Sequence, residues 1–140
     1  MALAPAACAG EPAPGPELAP PGAQPLHARG AFELALSDCE AAIASQIVPA
    51  HGALSFARYR LDSRATWPAT AAFYAARLGP GWKVLDGPPV QQRGFHWQVW
   101  QRNDWLGSKP VFGAAWLDEL LPDAAGQPMR LLVVAASRHG

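Results

Sequence analysis

Gly94-Phe-His-Trp-Gln-Val-Trp-Gln-Arg102 and Val111-Phe-Gly-Ala-Ala-Trp-Leu117, joined by Asn103–Pro110, decide how this chain is read. Both runs are rich in Val, Trp and Phe and are bounded by Gly, Asn, Pro or Asp, so both are expected as strands. In an extended chain successive side chains point to opposite faces. Phe95, Trp97, Val99 and Gln101 therefore face one side, and His96, Gln98, Trp100 and Arg102 the other. On the second run Phe112, Ala114 and Trp116 alternate with Val111, Gly113, Ala115 and Leu117. Paired as a hairpin in the favourable register, the two strands place Trp100 and Trp116 on one face.

Working outward, Trp82–Leu85 and Arg130–Ala136 are further strand candidates, and Leu54–Leu61 alternates in the same way, with Arg58 and Arg60 on the face of Leu54 and Phe56. Thr66-Trp-Pro-Ala-Thr-Ala-Ala-Phe-Tyr-Ala-Ala-Arg-Leu-Gly79 predicts a helix. Thr66 can cap it, Pro68 sits where a missing N–H costs nothing, Gly79 ends it, and Trp67, Ala71, Tyr74 and Leu78 form its apolar stripe. Residues 31–48 admit two readings. Phe32, Leu36, Cys39, Ile43 and Ile47 make one helical stripe, whereas Ser37-Asp38-Cys39-Glu40 resembles a capping box that starts the helix at Asp38 and leaves Ala31–Leu36 as a short strand. The order helix, strand, helix, four strands predicts an α+β domain. Its antiparallel sheet is expected to hold four to six strands, with two helices packed on one face.

Composition divides the chain near Gly30. Residues 1–30 hold 7 of the 15 prolines and only three charges, Glu11, Glu17 and Arg29. Proline removes backbone donors and clashes with a preceding helical turn, so this part is expected as a disordered, polyproline-II-like tether. Residues 31–140 hold all six tryptophans and form the single domain. With 11 basic and 11 acidic side chains the chain is neutral, which gives no footprint for nucleic acid and no polybasic patch for anionic lipid. Two cysteines cannot build a disulfide scaffold or a four-cysteine zinc site.

Leu3-Ala-Pro-Ala-Ala-Cys8-Ala-Gly10, followed by the proline-rich run, resembles the lipobox of a bacterial lipoprotein. The resemblance implies lipidation of Cys8, with Ala6 and Ala7 as the small residues accepted by the signal peptidase. It also implies a signal peptide that begins upstream of Met1, because seven residues without a basic start are too few for one. Pro5 departs from the usual Leu three places before the cysteine. Ala9, in place of an inner-membrane-retaining Asp, implies the outer membrane, with the domain facing the periplasm; the other reading is a cytoplasmic protein with an Ala/Pro-rich leader. The stretch Arg58–Trp82, strand then Ala-Ala-Phe-Tyr-Ala-Ala-Arg-Leu-Gly-Pro-Gly-Trp, is similar to small bacterial envelope domains of α+β fold, from which no functional residue is carried over.

The chemistry-bearing residues favour binding over catalysis. Trp100, Trp116, Arg102 and Gln98 on a solvated sheet face, with Trp105 in the 103–110 loop, are the candidate surface for a protein or glycan of the envelope; the competing reading places these aromatics in a small core. No GxSxG elbow, phosphate-binding glycine loop or His-Glu-x-x-His motif is present, so no catalytic residue, metal ligand or cofactor is expected. Cys39, on an apolar helical stripe, is expected buried and inert. Membrane contact is expected only through the lipid anchor. A rival function is a small inhibitor or immunity-type protein that blocks an enzyme through the 103–110 loop.

Overall fold

The two quoted runs pair antiparallel, with Phe95 opposite Leu117 and Gln101 opposite Val111. The computed structural model describes residues 13–26, 33–47, 54–85, 94–102 and 109–137. In chain order these give β1 (Gln24–Pro25), α1 (Glu33–Ile47), β2 (Leu54–Asp62), α2 (Trp67–Leu78), β3 (Trp82–Val84), β4 (Phe95–Arg102), β5 (Val111–Leu117), β6 (Leu121–Pro122) and β7 (Pro128–Ser137). One sheet holds all seven strands in the order β1-β2-β7-β5-β4-β3, with β6 beside the start of β7. The described pairings are antiparallel. The α+β class holds. Seven strands exceed the four to six expected, because β1 and β6 are two-residue, proline-containing pieces with no alternation to read.

The helices do not share a face. Leu131, Val133 and Ala135 of β7, with Val111, Ala115 and Leu117 of β5, pack with Leu36, Cys39 and Ile43 of α1. The intervening residues Leu132, Val134 and Ala136, with Phe112, Ala114 and Trp116, pack with Tyr74 and Trp67 of α2. Because strand side chains alternate, the two sets lie on opposite faces, and the expected one-sided arrangement is corrected to one helix per face. Every residue of β5 is buried. A strand covered on both faces reads as a continuous apolar run, as Val111–Leu117 and Leu131–Ala136 do.

α1 begins at Glu33, so the stripe outweighs the capping-box signal at Ser37. The reason is burial: Leu36, one residue before that box, is wholly enclosed with Cys39 and Ile43, and only a helix already running at Leu36 stacks all three on one side. The helix comes close to the sheet at Gly113, where an added Cβ would lie 3.0 Å from Ile43 Cγ2 and 3.4 Å from Val99 Cγ2. Arg58 on β2 reaches up to Glu40 on α1, Nε to Oε2 at 2.9 Å and Nη2 to Oε1 at 3.2 Å, which ties helix to strand. Arg60, one pleat along, pairs with Asp123 at 2.9 Å.

α2 has the ends expected of it. Thr66 is the N-cap and its hydroxyl accepts from the Ala69 N–H at 3.3 Å; Gly79, at φ 91°, closes the other end. Thr66→Ala is expected to cost about 1 kcal/mol, read as a lower urea midpoint with an unchanged slope; no shift would mean that water serves the Ala69 N–H equally well.

Part of the proline-rich segment is built into the domain. Residues 13–23 lie on the α2 face, where Ala13, Leu18, Ala19 and Ala23 pack on the core, and Leu26 crosses to the α1 face. Gln24 and Pro25 pair with Arg60 and Tyr59 at the sheet edge, and the Leu26 N–H donates to the Arg58 carbonyl at 2.9 Å. A free tether up to residue 30 is therefore corrected for this stretch. Prolines keep it out of helices and central strands, which leaves its carbonyls free to accept from side chains, and an edge strand tolerates Pro25.

Candidate functional site

Trp100 and Trp116 do share a face, as expected, but α2 covers it. Tyr74 lies with its ring centroid 6.2 Å from Trp100 and 5.2 Å from Phe112, and Trp67 meets Trp116 edge-on at 5.9 Å. Trp100 is 3% exposed and Trp116 2%. They are core residues, which is the competing reading of these aromatics, and the solvated tryptophan face is corrected accordingly. Gln98 is half-buried on the same face. Trp105 and Cys8 lie outside the described residues, as do 103–108 of the expected binding loop.

Partly open chemistry survives at the two ends of α2. At its start, His96 stacks on Trp67 at 5.8 Å and directs Nε2 to Asp118 Oδ1 at 3.1 Å. Arg130 lies over the neighbouring Trp116 ring, Cζ to centroid 4.5 Å, and its Nη1 donates to the Leu117 and Asp118 carbonyls. The His–Asp pair alone is an orienting contact. Among the described residues no cluster of three metal-ligating side chains forms.

At the other end, Arg102 extends over the Trp82 ring at 5.5 Å, and Arg77 over Phe73 at 5.8 Å. Val84, half exposed, stands opposite Trp100 on the same face. Two arginine–aromatic pairs with a neighbouring apolar side chain make a mixed rim, a composition enriched in protein interfaces. The rim adjoins the 103–110 connection, since the Arg102 N–H donates to the Pro110 carbonyl at 3.0 Å.

A third feature lies between β2 and α2. Tyr59 Oη donates to the Pro16 carbonyl at 2.8 Å and Tyr74 Oη to the Leu18 carbonyl at 2.9 Å. Burial raises both phenol pKa values, the Tyr59 value further through Glu17. Sequence reading placed Tyr74 on the buried stripe and missed the partner of its hydroxyl. The available signal was that a buried tyrosine must find an acceptor, and a proline-rich segment offers unspent carbonyls.

Cys39 is enclosed under α1, and burial, with Asp38 and Glu40 beside it, raises its thiol pKa from 9.0 to about 12. The reactive thiolate is therefore scarce at neutral pH. The raised value also means that stability from this group is fully present below pH 9 and is lost as pH rises toward 12. Native protein at pH 8 is expected to react with a thiol reagent at Cys39 only as fast as it unfolds; immediate stoichiometric labelling at that position would show an open path to it.

No known family model matches the chain, and no characterised protein or solved structure matches it. Among the described residues no helix is long and apolar enough to cross a membrane.

Proposed function

We propose that this chain is a non-enzymatic domain of the cell envelope, anchored through a lipidated Cys8, that engages a protein partner at the rim formed by Arg102 and Trp82, which Pro110 adjoins. The lipobox-like Leu3–Cys8 stretch supports the anchor. The observation that carries the reading is the docked segment 13–26. Ala13 is already packed on the core five residues after Cys8. At most ~3.6 Å per residue, that link spans about 18 Å. A free polyproline II segment from Cys8 to α1 would instead reach roughly 75 Å at about 3.1 Å per residue. The anchored domain therefore works next to the bilayer, and its partner is a protein of the same membrane surface. Support for binding comes from the Arg102 guanidinium over the Trp82 ring at the rim, since arginine and tryptophan recur as interface anchors.

The test is the mass of the N-terminal peptide of the native protein, taken from the membrane fraction of its host. A diacylglyceryl Cys8 is expected at the new N-terminus, with Cys8→Ser moving the protein to the soluble fraction. An unmodified terminus at Met1 or Ala2 in soluble protein would overturn the anchor.

A further inference from the structure

Two hydroxyls from different elements converge on one extended segment. Tyr59 on β2 and Tyr74 on α2 donate to carbonyls two residues apart, those of Pro16 and Leu18. The side chains seated beside them are small or unbranched at Cβ: Ala13, Leu18, Ala19 and Ala23. What is read is therefore an extended backbone with small apolar anchors. Prolines 14, 16, 20, 21 and 25 restrict the segment before it docks, so little conformational freedom is lost on seating it. Aromatic residues that hold proline-rich backbone in this way are a recurring mode of peptide recognition. The seat is not filled tightly. An open pocket of about 320 Å³ remains between Pro20–Gly22 and Leu61, Asp62 and Thr70.

We infer that the groove between β2 and α2 is a binding site for extended proline-rich peptides. Residues 13–23 occupy it in cis, continued along the β2 edge by β1, and a partner segment of the same chemistry competes for the groove. The groove and its occupant carry this inference, which needs no anchor at Cys8. Because an attached segment acts at an effective concentration on the order of mM, a competitor gains the groove when the cis segment is weakened or drawn away.

The experiment uses the full chain and a fluorescent peptide with the sequence of residues 12–26, followed by anisotropy. The Leu18→Asp chain, with a weakened cis occupant, is expected to bind the peptide saturably and at least tenfold more tightly than the unaltered chain. Adding Tyr59→Phe and Tyr74→Phe to Leu18→Asp is expected to weaken that binding at least fivefold. No saturable binding by a Leu18→Asp chain whose near-ultraviolet dichroism matches the unaltered protein would overturn the inference. So would binding indifferent to the two tyrosine hydroxyls. If Leu18→Asp does not fold, hydrogen exchange of the unaltered chain decides. The Leu18, Ala23 and Leu26 amides, bonded to the Gly15, Pro20 and Arg58 carbonyls, are expected to exchange by local opening, well ahead of β5 and β7 amides. Their exchange only on global unfolding would show a fixed part of the fold and overturn the groove as a binding site.

Discussion

Replacing Tyr74 with alanine is expected to lower stability by about 3–5 kcal/mol, the range for deleting a large buried aromatic. Tyr74 is fully enclosed, and its ring joins three parts of the α2 face. It touches Phe73 within the helix, Trp100 and Phe112 in the sheet, and through its hydroxyl the Leu18 carbonyl of the docked segment. No neighbour can move into the space without leaving one of these contacts, so the cavity persists. Tyr74→Phe keeps the ring and removes only the hydroxyl, so about 1 kcal/mol is expected, the ordinary net contribution of one hydrogen bond. Urea unfolding of the two variants separates packing from hydrogen bonding. A Tyr74→Ala loss below 1 kcal/mol would mean that α2 does not cover the sheet.

Gly113→Val is expected to cost about 2–3 kcal/mol through the opposite fault, overpacking. Gly113 lies under α1, where an added Cβ meets Ile43 Cγ2 at 3.0 Å and Val99 Cγ2 at 3.4 Å, with the Gln98 carbonyl at 3.6 Å. Valine places two further carbons in that gap, and the helix must lift or Ile43 must leave its rotamer. Its pairing partners on both sides, Val99 and Ala135, lie in central strands and give no room for the backbone to shift. Gly113→Ala is milder, its size set by how far Ile43 yields. Combining Gly113→Ala with Ile43→Ala should therefore give less than the sum of the two losses, because residues in contact couple. Additive losses would place the strain elsewhere.

The most legible parts of the chain were those decided by local chemistry. α2 was bounded by Thr66 and Gly79 because a capping hydroxyl and a positive-φ glycine act within a few residues. Leu54–Leu61, Phe95–Arg102 and Val111–Leu117 stood out as strands because β-branched and aromatic residues between turn residues suit a pleated, half-buried surface. The candidate site was harder to read. Arg102 does lie beside a tryptophan, but that residue is Trp82 on the neighbouring edge strand. Trp100 carries alternation that fits a solvated face and a covered one equally well, and nothing within β4 says whether a helix lies above it. The unbroken apolar run of β5 was the available signal that the sheet is covered on both faces.

The sequence by itself therefore determined the class of the domain, the central strand segments and the limits of α2, each of which depends mainly on neighbours along the chain. Only the tertiary structure decided that the helices cover opposite faces, that the tryptophans are core, and that a proline-rich segment docks. These outcomes depend on pairings such as Tyr74 with Leu18 and Arg58 with Glu40, between residues far apart in the chain. The physical reason is that a buried hydroxyl or guanidinium requires a partner without specifying from which segment it comes, and only the folded chain supplies one.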